Sequence, residues 1–363
     1  MAARGPLWPC ALGAAQRLPV TVTLRLDATR WCAAFGGTVA ANVPGRFRAR
    51  GAAAPPACPA SGPGIASLNV LHGLFCPLDT ANCRYAERMA LVRDWVAARG
   101  CPDVVGLQEV LEAQVPILTQ GLATLCGGYA VVYTPANRFD DAMLWTRVPV
   151  VAARVEPLLR GFRNVLITRL DHPAGPLDVL VTHLASGSDG GGAACGADCP
   201  AACVAAGAAT VRDCQAVQVA AFAAESTAAV TLVAGDFNAP PGSFVHATLT
   251  AHGAWADSHL AARLAECDRT TGIGCTSGRD DDVLDDLESP ALNERSRIDY
   301  VVLAGPPGGA CAVEPAGDPD GDGVATRLFA DLPNPFAPAC GPAPAPICWP
   351  SDHVGVQADV VCR

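Results

Sequence analysis

Residues 230–240 read VTLVAGDFNAP. An apolar run of strand length ends abruptly in Asp236 and Asn238, and the Ala-Pro that follows closes it. The same arrangement recurs along the chain. Asn69 interrupts ASLNVL at 66–71, Gln108 and Glu109 end DVVGLQEV at 103–110, and His183 ends LDVLVTHL at 177–184. Asp299 lies in SRIDYVVL at 296–303, and Asp352 and His353 lie in WPSDHVGV at 349–356. Each has an ordinary explanation taken singly: a carboxylate after a strand caps a turn or helix, and a lone His or Asn in a strand is a satisfied buried polar group. As a set, they are harder to dismiss.

Around these segments the pattern is that of a mixed α/β domain, with short apolar strands separated by amphipathic stretches and Gly/Pro turns. Strands are expected at 65–71, 103–108, 129–133, 142–146, 164–169, 177–183, 230–235, 298–303 and 354–361, and helices at 84–99, 111–125 and 208–226. The Cys/Gly/Pro-rich insertions 184–207 and 304–350 suit surface loops. Residues 1–63 differ in texture. VTVTLRL at 20–26 alternates as a half-buried strand, and GAAAPPACPASGPG at 51–64 has the composition of a linker, so a small β-rich N-terminal module is expected before a catalytic domain at 64–363. No chemistry suggests itself in that module.

Composition narrows the function classes. The chain has 363 residues and a net charge of −10 from 25 cations, all arginine, against 35 carboxylates. Half its residues are apolar and 17% are charged, which excludes a disordered chain or a coiled coil. No apolar run reaches the roughly 18 residues of a membrane span. Nucleic-acid binding through a broad basic face is disfavoured, because phosphate-dominated binding needs clustered cations. A hydrolase of phosphates is not, since a bound metal can supply the positive charge.

Seventeen cysteines, with close pairs at Cys76/Cys83, Cys267/Cys275 and Cys340/Cys348 and a run at Cys195, Cys199, Cys203 and Cys214, favour disulfides and an extracytoplasmic or secreted location. A structural zinc is the alternative for the run. The odd total leaves one thiol over, for which Cys10 is the natural candidate. Residues 1–19, interrupted by Pro6 and Pro9, make a poor export signal, and LWPC is a weak lipoprotein box, so the location rests on the cysteines.

Four carboxylates held together, Glu109, Asp236, Asp299 and Asp352, would repel one another by about 4 kcal/mol per pair at roughly 4 Å and an effective dielectric of about 20. A divalent cation removes that cost. An oxygen-rich donor set without Cys suits Mg²⁺, with Mn²⁺ or Ca²⁺ possible, rather than zinc.

The motifs SLNVLHG, LQEV, VTHL, GDFN, RIDY and SDH, in that order from about residue 64 to 362, resemble the endonuclease/exonuclease/phosphatase superfamily, which includes pancreatic-type deoxyribonucleases and neutral sphingomyelinases. The resemblance implies a four-layer α/β sandwich of two mixed β-sheets flanked by helices. It also implies an Mg²⁺-dependent phosphodiesterase acting on nucleic acid or a phospholipid head group by water attack on phosphorus; a monomer is expected. Carried over residue by residue, it makes Asn69, Glu109 and Asp352 the metal group. Asp236 positions or deprotonates the water, Asn238 and His183 contact the phosphoryl or leaving oxygens, and Asp299 orients His353. Arg147, in DDAMLWTRVPV, is a further candidate phosphate ligand where the family usually carries Ser-Arg, and His72 could line the pocket. A catalytically silent extracellular binding protein of the same fold is the alternative. DPDGDG at 318–323 resembles the start of a calcium loop through Asp318, Asp320 and Asp322, although the position for a bidentate Glu is Phe329.

Overall fold

A computed structural model describes residues 20–26, 29–35, 38–43, 46–50, 60–74, 81–136, 140–250, 255–279, 284–304, 311–314 and 328–362. The chain divides into a small unit built on residues 1–60 and a large one covering 61–319 and 324–362. In the small unit the alternating stretch Val20–Leu26 is a strand, paired antiparallel with Thr29–Phe35, and a second hairpin pairs Thr38–Val43 with Arg46–Arg50.

The large unit is built on two mixed sheets. The six-stranded sheet runs, in spatial order, Ala256–Asp257, Asp299–Ala304, Val230–Asp236, Gly175–His183, Asn164–His172, Val150–Pro157. The other sheet has seven strands. Its order is Cys311–Val313, Gly355–Cys362, Ala60–Asn69, Val104–Val110, Asp141–Thr146, Ala130–Tyr133, with Leu328–Phe329 paired onto Gly355–Cys362. Each contains one parallel pair of long strands, Ala60–Asn69 with Val104–Val110 and Gly175–His183 with Val230–Asp236.

Strand side chains alternate between faces, and the alternation sorts the cores. Ile65, Val104 and Leu144 from one sheet meet Val179, Val181, Leu232, Ala234 and Val301 from the other, forming the layer between the sheets. The remaining positions face outward. Leu68, Leu107, Met143 and Trp145 pack under Met89, Val92 and Trp95 of the helix Ala81–Ala98, while Leu180, Val233 and Val302 pack under Ala216, Val219 and Leu249 of the helices Val211–Ala224 and Phe244–Thr250. The result is the expected four-layer sandwich. Gly106 lets the sheets approach closely, since a Cβ there would lie 2.8 Å from Val181 Cγ2.

Two expectations need correction. The stretch 111–125 is not one helix but short turns, Glu112–Gln114 and Val115–Leu118, followed by Leu125–Gly127; Gly121, with a positive φ of 76°, stops propagation between them. The insertion 304–350 is not all surface: Phe329, Ile347, Cys348 and Trp349 are buried in the outer core beside the helix Ala81–Ala98. The four-cysteine run is spent on disulfides, Cys195–Cys199 and Cys203–Cys214, so it offers no thiolates to zinc. Cys267–Cys275 and Cys340–Cys348 pair as expected, and Cys101–Cys126 and Cys311–Cys362 are additional bonds. Cys10, Cys76 and the calcium-loop candidates Asp318, Asp320 and Asp322 lie outside the described residues. Among the described residues, no helix is long and apolar enough to cross a membrane.

Candidate functional site

The strand alternation that buries Val179, Val181, Leu232, Ala234 and Val301 between the sheets also decides where the polar residues go. His183 continues the inward series of its strand, Asp236 that of Leu232 and Ala234, and Asp299 that of Val301. Asn69 is on the same face as Ile65. The inter-sheet layer therefore changes from apolar to polar at one edge. Register makes the change local: His183 is paired with Asp236 in the parallel ladder, and Asp236 with Asp299 in the antiparallel one. Gly235, with φ of 145°, permits this pairing, because a Cβ there would lie 1.8 Å from the Thr182 carbonyl oxygen.

Glu109 needs a different device. Regular alternation would send it outward with Leu107. A register shift between Leu107 and Val110 inserts a bulge, so Leu107 and Val110 both face the outer core while Gln108 and Glu109 both turn inward. Glu109 takes a left-handed φ of 60°, and its backbone N–H donates to Asp140 Oδ1 at 2.9 Å. Asn238 is also left-handed, with φ of 51°, and its N–H donates to Asp236 Oδ1 at 2.8 Å. Such conformations, uncommon outside glycine, cluster where surrounding structure imposes them.

Asp236 is the centre of the cluster and is almost completely buried. Its Oδ2 lies 3.3 Å from Asn69 Nδ2, 3.3 Å from His183 Nε2 and 3.7 Å from His353 Nε2. Burial pushes its pKa up, but the neighbouring charges of His183 and His353 and the Asn238 N–H outweigh burial, and it falls well below the usual carboxylate range. His353 Nδ1 contacts Asp299 Oδ2 at 2.9 Å. Burial lowers the pKa of His353, and the surrounding Asp299, Asp352 and Asp236 more than reverse this, raising it well above the ordinary value. Asp299, desolvated and beside Asp236, is pushed up to about 6. Its backbone N–H and that of Ile298 donate to Thr276 Oγ1 at 3.1 and 3.0 Å, which anchors the strand entry.

Glu109 Oε1 accepts from Asn69 Nδ2 at 2.9 Å, and its Oε2 lies 3.7 Å from His72 Nε2. Burial raises the Glu109 pKa, while His72, His183 and Asn69 bring it below the usual value. Asp352 goes the other way, raised by burial and by the Glu109 charge. Two hard-oxygen carboxylates that repel one another in a buried setting are a donor set suited to a divalent cation. Asp236, Asp299 and His353 also present ligand atoms within 4.8 Å of one another, although His353 Nδ1 and Asp299 Oδ2 already contact each other.

Asn69 is brought to the site, its Oδ1 accepting from the Leu71 N–H at 3.0 Å and its Nδ2 facing both Glu109 and Asp236. Arg147 is not brought to the site. It follows Thr146, which pairs with Val104 at the opposite end of the strand carrying Glu109, about 17 Å away at roughly 3.3 Å per residue. There Arg147 NH1 donates to the Cys101 carbonyl at 2.7 Å.

The structure supplies neighbours that the motifs did not reveal. His183 Nδ1 lies 2.6 Å from Asp140 Oδ2 and 2.7 Å from Arg163 NH1. Arg163 is ion-paired with Asp140, and its Nε donates to Asp189 at 2.8 Å. Asn238 Nδ2 meets His183 Nε2 at 2.9 Å and donates to the Leu184 carbonyl at 3.0 Å. Two adjacent acids, Asp140 and Asp141, ahead of an apolar strand were the only sequence signal for this group.

A model of the Endonuclease/Exonuclease/phosphatase family matches residues 66–353 of the chain. Among solved structures, TDP2 of D. rerio complexed with a single-strand DNA product is similar at a TM-score of 0.53 and 20% identity, covering 82% of this chain and 98% of that one. An endonuclease/exonuclease/phosphatase family protein from Bacteroides thetaiotaomicron gives 0.56 and 16%, covering 84% and 99%. A mannosyl-6-phosphatase from the same organism gives 0.55 and 16%, covering 83% and 100%. At these identities the likeness is one of fold. No curated protein matches the chain.

Proposed function

Because the chain belongs to the endonuclease/exonuclease/phosphatase family, we propose that it is a divalent-metal-dependent phosphoester hydrolase, a phosphodiesterase acting on nucleic acid or a phospholipid head group by water attack on phosphorus. The observation that carries this reading is the convergence on Asp236 Oδ2 of His183 Nε2 at 3.3 Å and His353 Nε2 at 3.7 Å, with Glu109 joined to the cluster through Asn69 Nδ2.

Glu109 and Asp352 would hold the cation. When bound, it supplies charge neutralisation at the phosphoryl oxygens and lowers the pKa of a coordinated water. The chain's own residues do the rest. Asp236, ionised over the working pH range, positions or deprotonates the attacking water. His353, backed by Asp299, presents a cationic N–H to the charge developing on the phosphoryl group. Asn238 and His183 Nε2 sit together on the other side of Asp236, placed for the phosphoryl or leaving oxygen. Several groups are needed because the barrier reduction asked of such an enzyme reaches about 23 kcal/mol. One general base contributes only 10²–10⁴-fold, about 3–5 kcal/mol. Six disulfides among the described residues favour an oxidising compartment, in keeping with export.

The test is a purified-protein assay with Mg²⁺ on plasmid DNA, sphingomyelin, bis(p-nitrophenyl) phosphate and mannose 6-phosphate in parallel, with and without chelator. Chelator-sensitive turnover of a diester, abolished by Glu109→Ala, is expected. A folded protein inert on all four would instead match the silent binding protein.

A further inference from the structure

We infer that Arg88 is a positioning residue that locks the segments carrying Asn69 and Asp352 into one frame and thereby sets the affinity of the site for its divalent cation; this rests on the metal-dependent reading above. Arg88 lies within the helix Ala81–Ala98, fully buried. Its Nε donates to the Cys83 carbonyl at 2.8 Å, its NH1 to the Val70 and Pro350 carbonyls at 2.8 and 2.9 Å, and its NH2 to the Leu71 carbonyl at 2.8 Å. Val70 and Leu71 directly follow Asn69. Pro350 comes two residues before Asp352. One planar guanidinium therefore bonds both segments at once.

The segments so held are not in relaxed conformations. Leu71 has a left-handed φ of 49°, unfavourable for leucine, and is fixed at one end by its N–H on Asn69 Oδ1 and at the other by its carbonyl on Arg88. Ser351 ties the two segments directly, donating to the Asn69 carbonyl at 2.6 Å and lying 3.0 Å from Asp352 Oδ1.

Charge makes the arrangement costly unless it serves the site. All four Arg88 hydrogen bonds go to neutral carbonyls, and a buried cation without a contacting carboxylate is unfavourable. Its guanidinium carbon lies 5.1 Å from the centre of the Tyr85 ring, and after Tyr85 the opposite charges it feels are those of Asp352 and Glu109, the two proposed cation ligands. Arg279 is the contrast. It is equally buried and stacks 3.5 Å over the Trp349 ring, but it has Glu294 as ion-pair partner. Lysine, a point donor on a flexible stem, keeps the charge of Arg88 but cannot span three backbone segments.

The experiment measures Mg²⁺ binding by calorimetry in the full chain for wild type, Arg88→Lys and Arg88→Gln, with Val92→Ala on the same helix as a control for general destabilisation. Arg88→Lys is expected to weaken Mg²⁺ binding about tenfold and to recover turnover at excess Mg²⁺, while Val92→Ala binds as wild type does. A Kd for Arg88→Lys within threefold of wild type, or an equal loss in Val92→Ala, overturns the inference. Should neither Arg88 variant fold, the Arg88 Nε–H signal in ¹⁵N-arginine-labelled wild type decides: it must shift on Mg²⁺ addition, and a signal that stays put is equally fatal. Wild type that binds no Mg²⁺ would sink the metal-dependent reading itself, whereas unaltered binding in the variants removes only Arg88 from it.

Discussion

His353 and His183 both approach Asp236 through Nε2, at 3.7 and 3.3 Å, yet they are held from behind in different ways. Behind His353 stands Asp299, almost fully buried, paired with no arginine among the described residues and with its pKa pushed up to about 6. Behind His183 stands Asp140, shared with Arg163, which in turn is shared with Asp189. A lone desolvated carboxylate gives its whole electrostatic effect to the imidazole it faces. A carboxylate already neutralised by arginine fixes the ring in place and passes on less charge. The first arrangement suits a histidine that must carry positive charge, the second one that must be aimed.

The largest consequence falls on His353. His353→Ala should lower kcat by about 10³-fold or more, because it removes the cationic donor. A loss under tenfold would make the two histidines equivalent and break the contrast. His183→Ala should cost about 10²-fold. Asp140→Asn should cost about tenfold, and almost nothing further when His183 is already alanine, since it acts only through that ring; a double-mutant cycle reads the coupling. Additive losses would give Asp140 a separate role.

The smallest effect is on stability. Asp299 has a folded-state pKa raised from 3.8 to about 6, so between those values the folded state binds more protons than the unfolded one. This group's contribution to stability therefore falls as pH rises through that window. Removing the ionisable group should remove the loss: in chelator, the Tm of Asp299→Asn minus that of wild type should move in the variant's favour from pH 4 to pH 7, even as turnover drops. A flat or opposite trend, by differential scanning fluorimetry, would show that the carboxylate is well compensated and the contrast with Asp140 false.

Much of this site was legible before any coordinates. Asp236, Asp299 and His183 end apolar strands, and a residue that keeps the inward parity of its strand must emerge at the edge of the same layer. Glu109 was legible by motif but not by parity, because only the bulge turns it inward. Asp140, Arg163 and Asp189 were not legible, since their meeting with His183 depends on how the two sheets stack. Arg147 shows the reverse failure: it lies near the right strand in sequence but at its wrong end. The stretch 111–125 carried an apolar period suited to a helix, and Gly121, with its positive φ, stopped that helix after a single turn.

What the chain alone determined is what local chemistry can write: strand periodicity, the polar residues that close each strand, a cysteine usage that favours disulfides, and the ordered motifs of its family. What only the folded arrangement decided is which of those groups share a neighbour. Asn69 between two carboxylates, Asp140 behind His183 and Arg88 beneath two loops are contacts across 40, 43 and up to 262 residues. Separations of that kind leave no periodic trace in sequence. They are set when two sheets bury a common layer and the polar edge of that layer must satisfy itself.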